Sequence, residues 1–135
     1  MPLLQLTYAS RPFGYDGAML QGVLMDARRC NARDGVTGAL ICRDDLFLQM
    51  LEGAAAAVEA TYARIVRDDR QIEVRPLTRS TIPDDGRLFA AWAMRDDPAQ
   101  SWVWSREQVH DGAPERASQD TMMAIYARLA AEPAA

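Results

Sequence analysis

NARDGVTGALICRDDLFLQMLEG, residues 31–53, is the stretch whose reading decides the fold. It reads as a helix end, a strand, a tight turn and a return strand. Asp34-Gly35 is a turn signal, because glycine takes positive φ without steric cost. Residues 36–42 are apolar and partly β-branched, as a buried strand requires. Arg43-Asp44-Asp45 is a polar break of hairpin length, and residues 46–51 form the return strand. Glu52-Gly53 leads into an alanine-rich helical run. One residue breaks the pattern. Gln49 sits inside Leu-Phe-Leu-Gln-Met-Leu, where an apolar side chain would pack at lower cost. A buried amide without partners costs about 1–3 kcal/mol. Gln49 therefore faces solvent, pairs with another buried polar group, or pairs with a ligand. Strand alternation puts Phe47, Gln49 and Leu51 on one face and Leu46, Leu48 and Met50 on the other. Both faces are otherwise apolar, which weighs against solvent.

Upstream, residues 3–9 read as a strand with Tyr8 and Ser10 on one parity. Residues 11–15 form a loop containing Pro12 and Gly14, and Asp16 is a helix N-cap candidate. The helix that follows runs to about Ala32. Leu20, Val23, Leu24, Ala27 and Asn31 share its inner face at helical spacing, so Asn31 ends an otherwise apolar stripe. Downstream, residues 54–68 are helical, with Val58, Tyr62, Ile65 and Val66 as the packing face. Arg64 and Asp68 stand at i,i+4, where they pair with each other or face one ligand. Residues 71–77 read as a fourth strand, 87–92 as a short helical turn and 91–95 as a last strand, with Trp92 and Met94 on the same side. Residues 101–110 and 114–131 read as two helices, capped near Ser101 and Ala113. The second carries an apolar stripe of Met122, Ile125, Tyr126 and Leu129, expected to remain exposed as a partner surface. The order β-α-β-β-α-β-β is that of a ferredoxin-like α+β sheet with two helices on one face, followed by C-terminal helices. A pocket between the two helices, over the sheet, is expected. The division expected is a domain at 1–97 and a helical extension at 98–135 packed on it.

Composition narrows the chemistry. The chain has 135 residues, 49% of them hydrophobic, enough for one domain with a real core. Its net charge of −4, with no basic stripe, argues against a nucleic-acid partner. No apolar run has the length of a membrane span and no signal peptide opens the chain, so a cytoplasmic location is expected. All 15 basic residues are arginine, which excludes lysine Schiff-base chemistry and the cofactors that need it. His110 is the only histidine, and it lies in a polar segment. Cys30 and Cys42 make neither a disulfide framework nor a metal cluster.

Tyr8, Asn31, Gln49 and the Trp92/Met94 pair can converge between the first helix and the central strands. Singly, Tyr8, Trp92 and Met94 are ordinary core residues, Asn31 is a common helix-end residue, and Arg64 with Asp68 is a common helical ion pair. Together they resemble the BLUF family, the blue-light sensors that use flavin. The resemblance spans about residues 3–96. It rests on Tyr8-Ala9-Ser10, on residues 31–38 (NARDGVTG), on residues 47–53 (FLQMLEG), on Arg64 with Asp68, and on Trp92-Ala93-Met94.

The resemblance implies a photoreceptor without substrate turnover, binding flavin non-covalently, as FAD or else as FMN or riboflavin. It makes Tyr8 and Gln49 the photoactive pair. Asn31 would hold the polar edge of the ring, Arg64 and Asp68 the ribityl-phosphate part. Trp92 and Met94 would compete for the place beside Gln49. Cys30 stands where the family more often has a polar residue against the ring. Only about forty residues follow the last strand, so output is expected through an unidentified protein partner or a homo-oligomer. The alternatives are a cysteine-adduct sensor of the LOV type using Cys30, a light-independent interaction module, and a small phosphatase. The LOV motif Asn-Cys-Arg-Phe-Leu-Gln is absent, as is the phosphatase's Gly-rich, Arg-ended loop.

Overall fold

The computed structural model describes residues 2–12, 17–42, 46–67, 71–89, 92–96 and 104–131. Five strands, β1 (Leu3–Pro12), β2 (Thr37–Cys42), β3 (Phe47–Gly53), β4 (Gln71–Ile82) and β5 (Trp92–Asp96), form one sheet in the order β4-β1-β3-β2-β5. The first four are antiparallel to their neighbours, and β5 runs parallel to β2. That direction follows from chain geometry. β4 runs opposite to β1 and β2, so a chain that reverses once after β4 must run parallel to β2. The crossing from one sheet edge to the other spans roughly 19 Å, four strand spacings, and the nine residues 83–91 can reach roughly 30 Å.

Helices α1 (Gly17–Asp34) and α2 (Ala55–Val66) cover one face. Leu4, Leu6, Tyr8 and Leu51 of the sheet pack there with Val36 and Val58, backed by Tyr62 and Ile65. α1 ends where the turn signal lies. Gly35 takes φ +70, and Val36 N–H reaches back to Asn31 O at 2.9 Å, a Schellman closure. This stop holds Asn31 in the last turn. Gly38 on β2 has a different constraint: a Cβ there would stand 1.9 Å from Met50 O, so only glycine lets β2 close on β3.

The opposite face is covered by the C-terminal helices α3 (Arg106–His110), α4 (Ala113–Arg116) and α5 (Gln119–Ala131). Ala9, Ala39, Ile41, Leu46, Leu48 and Met50 form one cluster with Phe89, Trp104, Val109, Met122, Ile125, Tyr126 and Leu129. The expected exposed stripe on α5 is therefore corrected: all four of its residues are buried. Strands apolar on both faces need cover on both, and α5 supplies it. Arg11 bonds Glu115 at 3.1 Å, and Gln119 bonds Ser80 at 2.7 Å, fastening the cap to β1 and β4.

Local boundaries differ too. Residues 87–89 are not helical; their polar groups are bonded to Glu52 and its neighbours instead. The first C-terminal helix begins at Arg106, where Ser105 and Gln108 make a reciprocal capping box, not near Ser101. The second is split at Ala117-Ser118, with Gly112, not Ala113, at the N-cap of α4. The fourth strand continues to Ile82, paired with β1 along its length. Asp16, the hairpin residues 43–45 and Ser101 lie outside the described residues.

Tyr126 is fully buried, and among the described residues its hydroxyl has no hydrogen-bond partner. Burial pushes its phenol well above the usual range, with Tyr8 adding to the shift. A raised folded-state value means that the contribution is intact below the unfolded value near 10 and is lost as pH rises through the folded one. Tyr126→Phe should raise neutral-pH stability by about 1 kcal/mol, by removing an unpaired buried hydroxyl. It should also reduce the stability lost between pH 7 and about pH 10.5, as followed by urea unfolding at both values.

Candidate flavin site

Between α1, α2 and the sheet lies a cavity of about 300 Å³. The sheet supplies its floor through Tyr8, Gln49 and Leu40, which are direct neighbours in register across β1, β3 and β2. α1 supplies Val23, Ala27, Cys30 and Asn31; α2 supplies Thr61, Arg64 and Ile65. The floor is ordered by one hydrogen bond. Gln49 Nε2 donates to Tyr8 Oη at 2.5 Å, with both residues buried. The Tyr8 ring also packs edge-on against Tyr62, centroids 5.7 Å apart. Gln49 thus resolves its three alternatives: it is buried at the cavity and pairs with a second polar side chain there.

Among the described residues, two buried side-chain atoms of the lining have no hydrogen-bond partner. Asn31 is 2% exposed and its Oδ1 is unpaired; Thr61 is 2% exposed and its Oγ1 is unpaired. Buried polar atoms left so are costly, and here both belong to residues lining the same cavity. They call for a ligand edge that carries hydrogen-bonding groups. The outer rim is charged. Arg29 pairs with Asp26 at 3.5 Å, and Arg64 approaches Asp34 at 3.7 Å. Asp34 is bonded more closely by Arg33, at 2.8 and 3.1 Å, and this bond chiefly holds its carboxyl below the usual range.

Residues 3–95 match the family described as BLUF, sensors of blue light using FAD. The chain belongs to the BLUF family. The photoactivated adenylate cyclase subunit beta-like protein FB of Euglena gracilis is 35% identical over 99 residues, covering 67% of this chain and 11% of that protein. The photoactivated adenylate cyclase subunit beta of the same organism is 35% identical over 97 residues, again 11% of its length. The chain thus spans about a tenth of these curated relatives. BlrB, a BLUF protein in its dark state, shares the fold with TM-score 0.69 and 29% identity, covering 96% of each chain. BlsA in its photo-activated state gives TM-score 0.77 at 23% identity, over 97% of this chain and 96% of that one.

BLUF domains bind flavin, and this cavity fits one. The flavin ring ends in an edge of carbonyl acceptors flanking an N–H donor. The Asn31 carbonyl, the Thr61 hydroxyl and the Gln49 amide are a matching donor and acceptor set. Of the residues expected at the site, the fold brings together Tyr8, Asn31, Gln49, Cys30 and Arg64. Cys30 is a free thiol, partly buried in the wall. Asp68 lies outside the described residues, and Arg64 has Asp34 beside it. Met94 is the register neighbour of Leu40, in the row that contains Gln49 and Tyr8, and Trp92 is the neighbour of Gly38. Nothing of either side chain is described. Thr61 was missed in the sequence, although a threonine on the inner face of α2 interrupts an apolar stripe as Gln49 does.

Asn31→Leu keeps the branched shape of the side chain and removes the unpaired acceptor. Flavin affinity of the apoprotein, measured by fluorescence titration, should fall about tenfold, and stability without flavin should hold or rise.

Proposed function

We propose that this chain is a blue-light photoreceptor whose switch is the Tyr8–Gln49 pair. The observation that carries the reading is the hydrogen bond between them, buried on the floor of a cavity with unsatisfied polar walls. The flavin supplies blue-light absorption and, when excited, a strong one-electron oxidant. The residues supply the rest. Tyr8 can give up an electron and its hydroxyl proton. Gln49 carries a donor and an acceptor on one amide, so a half-turn of that amide, or its tautomerisation, reverses what it offers to Tyr8 and to the ring. Asn does the same but is a methylene shorter. Asn31 holds the ring edge. The planar fork of Arg64, together with Asp68, suits the ribityl-phosphate part. Trp92 and Met94, on β5 beyond β2, are the residues that exchange places beside Gln49.

The reading includes FAD as the natural cofactor, no substrate turnover and a cytoplasmic location. No described helix is long and apolar enough to cross a membrane, no described group of His, Cys, Asp or Glu could hold a metal, and His110 is exposed on α3. We take residues 1–97 as the sensor and 98–135 as its extension, with output through a protein partner or self-association. One rearranged hydrogen bond contributes about 0.5–1.5 kcal/mol. Driving an equilibrium from 1:99 to 99:1 takes about 5.5 kcal/mol. The switch therefore works through stored strain or gives a graded output.

Two experiments test this. Denaturing the purified yellow protein should release one intact flavin per chain, chromatographing as FAD; flavin retained on the polypeptide overturns the non-covalent assignment. Illumination should shift the flavin band reversibly to the red without bleaching it. Gln49→Leu and Tyr8→Phe should each still bind flavin and lose that shift. A full shift in either variant removes that residue from the switch.

A further inference from the structure

Glu52 is a fully buried carboxylate that takes no part in the cavity. Its direct neighbours in register are Gln5 on β1 and Thr37 on β2. Both carboxylate oxygens are used twice. Oε2 accepts from Gln5 Nε2 at 2.9 Å and from Leu88 N–H at 2.8 Å. Oε1 accepts from Phe89 N–H at 3.1 Å and from Thr37 Oγ1 at 3.4 Å. Arg87 closes the cluster, donating from Nη1 to Thr37 Oγ1 at 2.8 Å, Gly35 O at 3.0 Å and Glu52 O at 3.1 Å.

Leu88 and Phe89 belong to the connection that carries the chain from β4 to β5. Two successive backbone N–H groups of that connection thus end on one side chain of β3. The Phe89 side chain is buried in the cluster that holds the C-terminal cap, with Trp104, Val109 and Met122. β5 begins three residues later, at Trp92. Gln49 precedes Glu52 by three residues on the same strand and faces the other way across the sheet. One strand therefore bears the cavity's amide on one face and the anchor of the connection on the other.

We propose that Glu52 is a positioning residue of the light response. It seats the β4–β5 connection, and through it β5 and the cap, on the strand that carries Gln49. The proposal rests on Gln49 being the switch residue. A carboxylate is needed because both of its oxygens accept from backbone N–H groups. A glutamine there turns one acceptor into a donor that faces another donor. A displacement of β3 at Gln49 is then delivered to the Leu88 and Phe89 amides, two bonds that hold the cap's core in place.

The test uses the flavin-loaded full chain, dark and illuminated, with absorption, dark-recovery kinetics and hydrogen exchange. The wild type should show a reversible red shift and a light-dependent exchange difference at residues 88–89 and 104–131. Glu52→Gln should keep the dark flavin spectrum and form the red shift. Its recovery rate should change about threefold or more, and the exchange difference at 104–131 should shrink by a similar factor. A purely structural role would lower the unfolding midpoint and leave recovery and the exchange difference at wild-type values; that result overturns the proposal. If Glu52→Gln does not fold, Thr37→Val and Gln5→Leu each remove one donor to the carboxylate and should move both readouts the same way by less. Wild-type behaviour in both overturns it equally. A wild type without a red shift defeats the Gln49 reading and this proposal together. A shifting wild type with indifferent variants defeats this proposal alone.

Discussion

The register of β1 against β3 is the constraint on which the site depends. Tyr8 stands opposite Gln49 because Gln5 stands opposite Glu52 and Ser10 opposite Phe47. A slip of one residue would turn Tyr8 to the other face and separate the pair. The register is held from two sides. At the far end of the strands, the polar row Gln5–Glu52–Thr37 hydrogen-bonds across three strands. On β2, Gly38 must face Met50, where any side chain would strike the β3 backbone. Both devices lie outside the cavity, so the hydrogen bond inside it is set by groups that do not line it.

A sheet apolar on both faces has a second consequence. α1 and α2 cover one face and leave a cavity between them; the C-terminal helices cover the other with a continuous cluster. Tyr8 and Gln49 belong to the first face, while Ala9, Leu48 and Met50, the residues alternating with them, belong to the second. Any movement of the strand at the cavity is a movement of the cap's floor. Packed interiors respond in discrete rearrangements because they hold little free volume. That property makes a single amide in the cavity relevant to helices on the opposite side of the sheet.

Two polar groups illustrate how burial is used. Asn31 and Thr61 are left without protein partners among residues that line a cavity, an arrangement that a bound flavin would satisfy. Among the described residues Tyr126 is left without one inside an apolar cluster. The first pair lines the cavity; the second is a stability cost carried by the cap.

Much of this was legible in the residues alone. Strand alternation and turn chemistry located β1, β2 and β3, and most of the packing face of α2, because these depend on neighbours in sequence; α1 runs two residues past the expected end near Ala32, to Asp34, and Val66, expected on the packing face, is exposed. Gln49 stood out because an amide in an apolar strand has a cost that something must offset. Three features were decided only by tertiary structure. The stripe on α5 looked like a partner surface, since a helix does not reveal what its apolar face meets; the uncovered face of the sheet met it. Residues 87–89 read as part of a helical turn, yet the backbone N–H groups of Leu88 and Phe89 are taken by Glu52, 36 and 37 positions earlier in the chain. Thr61 becomes a cavity wall only where α1 and the sheet close around α2. In each case the deciding partner is remote in sequence, and local propensity carries no information about a contact that only the closed sheet creates.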